Sequence, residues 1–493
     1  MNTFIDNRIS YRYLVLIFVV SFFVRSATFY FFGQYQERYW QADSMDYHLS
    51  ATCMAHGTGM HRFDTQKPIF WRTPGYPFYL SLFYRIFGLD SPQFSANEPA
   101  QKVALWVQIF LSSFIPLLIF FLALMLTRLT SLSFIAAWIF VFHPGFILSS
   151  GFLLTEALAM LFFLGFLLCY YYALDWWFEF EYERSWSIVA IACAAFCLGI
   201  FTWMRPNGEF IALLSVIIVA MSRAAWSRKS MQIIVFLLCF FGVIGPWYIR
   251  NYQLTGHWFF CPMSGPYLMA FSAPKILRRL TNEKLEDCLK YIFMQAKAMT
   301  DEQEVINRAL GSSCVICQEL YCMDVALPWI KKYPFYFLSD WTMEVIKTTF
   351  DLYSYQLVSI AKNCYKWDPV EEILTQKLAD CLYREKIPLL MRLVSWFEMV
   401  YMIFLWIGLL CGSVIFICYP WHKRMQLPTI FRLLNGLWVK LSLMIGGLLI
   451  MTGGFGYARL RMPAEPLLVI LSLTFWFWVF KKQHFNSFEM KAD

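Results

Sequence analysis

Residues 11 to 32 read YRYLVLIFVVSFFVRSATFYFF, a run without an acid in which Arg12 stands near one end and Arg25 is the only charge inside. As a helix it is about 33 Å long, enough to cross the hydrocarbon of a bilayer. Arg8 and Arg12 precede it, apolar residues resume after Arg25, and no small-residue cleavage site follows, so it reads as a retained span and not a signal peptide. WQADSMDYH, residues 40 to 48, comes shortly after, and puts two acids, Asp43 and Asp46, just beyond the end of the span.

The rest of the chain is built in the same way. Of 493 residues, 59% are hydrophobic and 15% charged, against about 25% charged in soluble domains, which excludes a soluble enzyme. Apolar runs predict ten spans, near 11 to 32, 103 to 126, 131 to 144, 146 to 172, 186 to 204, 208 to 222, 230 to 248, 394 to 419, 433 to 452 and 463 to 480. The third and sixth are too short to cross and are expected to end beside a protein-lined cavity. The expected fold is an all-α polytopic membrane protein.

Lys and Arg in the short loops set the orientation. Arg8 and Arg12, Arg128, Arg184, Arg223 with Arg228 and Lys229, and Lys423 with Arg424 and Arg432 each precede an odd-numbered span. Both termini are then cytoplasmic. This divides the chain into a first helix (1 to 32), a first external loop (33 to 102), spans two to seven (103 to 248), an external helical segment (249 to 393), spans eight to ten (394 to 480) and a cytoplasmic tail (481 to 493). Within the external segment, Thr300, Gln303 and Gly311 look like the caps of one helix.

The net charge of +8 does not indicate nucleic acid, because no basic run exceeds pairs such as Lys331-Lys332 and Lys481-Lys482. A cytosolic nucleotide domain is excluded too. No cytoplasmic loop exceeds about 15 residues, whereas a βαβ unit needs roughly 30, and neither a GxGxxG nor a P-loop pattern occurs. Eight of the 14 cysteines, Cys53, Cys261, Cys288, Cys314, Cys317, Cys322, Cys364 and Cys381, fall on the predicted outer face. An even external set reads as structural disulfides more than as a redox or zinc motif at Cys314-Val-Ile-Cys317.

Ionisable residues at membrane depth mark function by default, and here they share one side. Lys67 and Arg72 lie in KPIFWRTPGYP, His143 turns span three into span four, Glu156 stands ten residues into span four, Arg205 is in WMRPN, Arg250 in PWYIRNY, and Arg459 and Arg461 in YARLRMPAEP. Taken singly, most have a plain reading: a helix start for Asp43 and Asp46, snorkelling for Arg250, Arg459 and Arg461, turns for Arg205 and His143. Glu156 does not, since a carboxylate inside an apolar helix needs a partner. An outer face has no nucleotide sugars, so an activated group would arrive on a lipid phosphate. Its transfer needs a carboxylate base and cations that hold the phosphate as charge develops.

In order along the chain, Arg25, Asp43 with Tyr47, RTPGYP (72 to 77), the HPG turn, Thr155-Glu156, Arg205-Pro206, PWYIRNY (246 to 252) and RLRMPAEP (459 to 466) resemble the lipid-phosphate-dependent glycosyltransferases of the GT-C fold, in particular family 39, which includes aminoarabinose transferases and protein O-mannosyltransferases. The resemblance spans roughly the first 260 and last 40 residues. It implies Asp43 as catalytic base with inversion. Arg72, Arg205, Arg250, Arg459 and Arg461, with Lys67 and Arg25, are the implied donor-phosphate contacts, and Asp46, Tyr47, His143 and Glu156 would line or orient the pocket. The implied partners are a polyprenyl-phosphate sugar donor, a lipid, glycan or protein acceptor, and the membrane itself, with the site on the external face of a bacterial inner membrane. Ser44 stands where aminoarabinose transferases usually carry a second acid, which weakens a family-like metal site but leaves a divalent metal open. Two other readings remain: a carrier or flippase of anionic lipids, and a glycan ligase or polymerase of the same fold.

Overall fold

The computed structural model describes residues 11–32, 39–41, 43–61, 67–87, 98–174, 184–222, 225–309, 318–354, 389–418, 441–442, 444–450 and 458–489. Among them there is no strand, only an isolated bridge between His61 and Pro68.

The first span is α1 (Tyr11–Phe32). The loop after it folds as two helices, α2 (Ser44–Ala55) and α3 (Gly75–Phe87), which pack on each other. α4 (Glu98–Ser112) and α5 (Ile115–Thr127) form one apolar helix over Pro99–Thr127. It is interrupted where Pro116 has no N–H for the carbonyl four residues earlier.

The third and fourth predicted spans divide differently from the expectation. α6 (Thr130–Phe142) is followed at a 53° bend by the short α7 (Pro144–Ser150), and the apolar chain restarts only at α8 (Glu156–Ala173). The bend is at His143, where Pro144 leaves the carbonyl of Phe140 without its helical donor. Arg25 supplies the missing bond: its Nη2 donates to that carbonyl at 3.2 Å, while Nη1 donates to the Ser21 hydroxyl at 2.6 Å. The break before α8 also corrects the placing of Glu156, which is the first residue of its helix and not one three turns inside. An acid there is favoured by the positive end of the helix dipole.

α9 (Arg184–Met204), the short α10 (Gly208–Ala220) and the long α11 (Trp226–Thr255) follow. α10, at 13 residues, is too short to cross, as expected. Lys229 closes it by donating to the carbonyl of Ala220 at 3.0 Å. α8, α9 and α11 interlock around Phe163, Phe166, Tyr170, Phe201 and Phe236, which are buried together.

Beyond α11 the chain makes helical turns at Ser264–Tyr267 and Leu268–Ser272, then α12 (Ala273–Thr281), α13 (Leu285–Ala309), α14 (Gln318–Lys332) and α15 (Pro334–Phe350). These helices hold a core of their own, with Met269, Leu277, Ile292 and Val325. Thr300 is not a cap: it lies inside α13, with its hydroxyl bonded back to the Ala296 carbonyl, and Gly311 lies outside the described residues. α16 (Leu389–Cys418) and α17 (Glu465–Glu489) pack closely, with Gly408 facing Ser472.

Six described helices are long and apolar enough to cross a membrane, or seven counting the bent α6–α7 pair; Gly208–Ala220 and Glu465–Phe480 are shorter apolar helices. The ninth predicted span falls partly, over 433 to 440, at 443 and over 451 to 452, outside the described residues. Cys53, Cys261, Cys288 and Cys322 form no disulfide bond, contrary to the disulfide reading, whereas Cys314, Cys317, Cys364 and Cys381 lie outside the described residues.

Candidate active site

Asp43 is the residue just before α2, and its place is set from both sides. Ser44 donates its hydroxyl to the carbonyl of Leu153 at 3.0 Å and accepts the N–H of Gln41 at 2.8 Å. The N–H of Leu153 in turn donates to the carbonyl of Tyr39 at 2.9 Å. The stretch carrying Asp43 is therefore tied to the break that precedes Glu156. Two acids more than a hundred residues apart are delivered to one place by a side-chain and a backbone hydrogen bond to Leu153.

The RTPGYP segment is docked on the end of α9. Thr73 donates to the carbonyl of Met204 at 2.9 Å, and a Cβ on Gly75 would stand 2.6 Å from the Trp203 carbonyl oxygen, so only glycine fits. That docking brings Arg72 beside Arg205, the residue that follows α9.

The side chains converge. Arg72 reaches Asp43 Oδ1 at 2.7 Å through Nη2 and Asp46 Oδ2 at 2.9 Å through Nε. Arg459 reaches the other Asp43 oxygen at 2.9 Å and comes within 3.9 Å of Glu156. Arg205 donates to the same Glu156 oxygen at 3.3 Å. The Arg72 guanidinium also lies over the Tyr47 ring, 5.5 Å from its centre. Three guanidinium groups thus face three carboxylates, and all but Glu156 are partly exposed.

Burial alone would raise the pKa of Asp43, but Arg459 and Arg72 outweigh it and hold the carboxyl well below the usual carboxylate range. The Tyr47 phenol is pushed up to about 12, chiefly by burial. Asp43 is therefore an ionised carboxylate with both oxygens occupied by cationic donors. A second anion entering this place would compete for those donors.

The other candidates stand elsewhere. Lys67 is exposed, and Arg25 serves the Phe140 carbonyl as described. Arg250 donates to Asn251 and to the carbonyl of Met60 at 3.2 Å, and stacks 4.4 Å from the Trp247 ring centre and 5.2 Å from that of Phe70. Arg461 and His143 belong to a second, buried cluster. There Arg461 donates to Glu465 at 2.7 Å and to the carbonyls of Thr348, Thr349 and Asp351 at 2.9 to 3.0 Å. His143 Nε2 is 2.8 Å from Glu465 Oε2, in a contact too poorly directed to be a hydrogen bond.

Sequence reasoning missed the partners in that cluster. The Asp351 carboxylate accepts the N–H of Ala458 at 3.0 Å, and Glu398 accepts the N–H groups of Tyr353 and Ser354 at 2.6 and 2.9 Å. The first of these bonds pins the short turn Ala458–Leu460 that presents Arg459 to Asp43, and the Glu398 bonds hold the chain just beyond Asp351. The signal was available in part, since Glu465 and Glu398 are acids at the ends of apolar runs.

A metal fits this donor set poorly. Both Asp43 oxygens are held by guanidinium groups, the Ser44 hydroxyl is turned to Leu153, and among the described residues no three His, Cys, Asp or Glu side chains stand together as ligands.

No family model matches the chain, and no curated protein matches it significantly in sequence. Solved structures do. The archaeal oligosaccharyltransferase AglB from Archaeoglobus fulgidus, in complex with an inhibitory peptide and a dolichol-phosphate, superposes with a TM-score of 0.52 at 13% identity, over 98% of this chain and 51% of that one. The apo form of the Archaeoglobus fulgidus oligosaccharyltransferase gives 0.51 at 14% identity, over 98% and 52%. The chain has the GT-C fold of those structures. It spans about half the length of those GT-C structures, and at such identities the likeness concerns the fold alone. Within that fold, the Asp43 cluster is assembled from the loop after the first span, the start of α8, the end of α9 and the turn before α17.

Proposed function

We propose that this chain is an integral membrane glycosyltransferase that moves a sugar from a polyprenyl-phosphate donor to an acceptor hydroxyl on the external face, as in family 39 of the GT-C enzymes. The observation that carries this reading is the Asp43 carboxylate held between Arg72 and Arg459, with Arg205 and Glu156 adjoining. The GT-C fold supports it, as does the dolichol-phosphate bound by the Archaeoglobus protein.

In the proposed reaction the donor phosphate takes over hydrogen bonds from Arg72, Arg459 and Arg205, which frees an oxygen of Asp43. The acceptor oxygen attacks the anomeric carbon while its proton passes to Asp43. The bond from that carbon to the phosphate oxygen breaks, and the electron pair leaves with the phosphate, where the guanidinium groups meet the growing charge. Attack opposite the leaving group inverts the anomeric centre. Glu156 holds Arg205 and Arg459 in place, and the lipid tail lies among the aromatic side chains between spans.

The test is direct. Purified protein in detergent, given a labelled polyprenyl-phosphate sugar and a set of acceptors, transfers the label, and Asp43→Asn abolishes transfer while the protein still accumulates in the membrane. Near-normal turnover by that variant removes Asp43 from its role. Movement of intact lipid across sealed vesicles with no bond transfer favours a carrier instead.

A further inference from the structure

α15 is built the wrong way round for a helix in water. Its charged side is turned inward: Glu344 accepts from Lys275 of α12 at 2.7 Å and from Lys347 at 3.0 Å, and Asp340 pairs with Arg279 of α12. Its outer side carries Phe335, Leu338, Met343, Ile346 and Phe350, all exposed and spaced to fall on one helical face. Ser339 and Thr342 complete that face, and no charged residue interrupts it. In water the opposite arrangement is the stable one.

Two further features indicate what covers this face. Phe350 meets Trp406 of α16, with ring centres 5.7 Å apart. α16 is one of the helices long and apolar enough to span, and Trp406 lies eight residues along it from Glu398, which binds the chain just after α15. Beside Trp406 run Phe397, Val400, Ile403, Ile407, Leu410 and Val414, an exposed stripe that reads as the lipid-facing side of α16. The outer face of α15 meets α16 beside that stripe, at Phe350 and Trp406. Tyr333, Tyr336 and Trp341 supply the ring types that concentrate where headgroups meet acyl chains.

We infer that α15 lies in the bilayer interface at the end of the bundle where the Asp43 site opens, with Phe335, Leu338, Met343, Ile346 and Phe350 against lipid. The helix then serves as a float: it sets the height of the external helices above the membrane, and through Asp351 it sets the turn that holds Arg459. This holds whether or not the proposed transfer reaction is correct.

The experiment is hydroxyl-radical footprinting of the intact protein in nanodiscs of phosphatidylcholine and phosphatidylglycerol sorted to one copy per disc. Met294 of α13, exposed between Lys290 and Lys297, is the internal control for contact with water. Met343 is expected to oxidise several-fold more slowly than Met294. Equal oxidation of the two overturns the inference. Benzoylphenylalanine placed at Leu338 identifies the cover: photoadducts to lipid support the inference, and adducts to this chain or to a second copy overturn it.

Discussion

The guanidinium of Arg459 stands 2.9 Å from a carboxylate oxygen of Asp43, across 416 residues of chain. Burial works to raise the Asp43 pKa, and Arg459 and Arg72 reverse it, so the folded carboxyl titrates below its unfolded value. For a depressed acid, the stabilisation is complete above the unfolded pKa of about 3.9 and is lost as pH falls through the folded one. Asp43→Asn should therefore lower stability by about 1–3 kcal/mol near neutral pH, measured as a shift of the thermal midpoint in detergent. The deficit should be constant down to about pH 5 and shrink in stronger acid. A deficit that grows on acidification contradicts the clamp.

Glu156 is shared between Arg205 and Arg459. Glu156→Gln keeps the shape and removes the charge that steadies both. The expected result is a rise in KM for the lipid-phosphate donor of about tenfold, equal to roughly 1.4 kcal/mol, with kcat changed less. Arg205→Ala should act on the same quantity, and the double variant should fall short of the sum because the two side chains form one unit. Strict additivity would mean that Glu156 and Arg205 work apart.

How much of this was legible beforehand differs from residue to residue. The residues that meet, Asp43, Asp46, Arg72, Glu156, Arg205 and Arg459, could be singled out because charge near an apolar run is expensive and all lay at one end of the spans. The helical bundle was legible for the same reason, in the length of runs such as α1 and α11. The division of α7 from α8 was not, since GFLLT at 151–155 is as apolar as a helix and its break is set by tertiary bonds to Tyr39 and Ser44. Nor was the fate of Arg461 legible. Its partners, the carbonyls of Thr348, Thr349 and Asp351, are backbone atoms some 110 residues away that no side-chain pattern advertises. Arg25 illustrates the limit in another way: an arginine inside a span invited a phosphate, and the carbonyl freed by Pro144 accepts its Nη2.

Gly75 tests the docking of the arginine-bearing loop. Its missing Cβ would stand 2.6 Å from the Trp203 carbonyl oxygen, which is helix backbone and cannot swing aside. Gly75→Ala should lower stability by about 1–3 kcal/mol, as overpacking does, and should weaken binding of polyprenyl phosphate more than binding of the uncharged polyprenol, because Arg72 moves with the loop. Equal loss for both lipids would show that the loop supports the fold without positioning the guanidinium.

Asp351 joins the external helices to the site. Its carboxylate accepts the Ala458 N–H at 3.0 Å and its carbonyl accepts from Arg461 at the same distance, so one residue at the end of α15 fixes both ends of the turn that carries Arg459. Asp351→Ala removes the first bond and leaves the second. Hydrogen exchange should then quicken in peptides covering 458–461 and remain slow in α9 and in the part of α8 beyond its first turn, where Glu156 meets Arg459. If Arg459 acts through that geometry, donor KM should rise in parallel, and the effect of Asp351→Ala should disappear in an Arg459→Ala background. An effect of the same size in both backgrounds would mean that Asp351 supports the bundle generally, and that the hold on Arg459 comes from the acids it faces, Asp43 and Glu156.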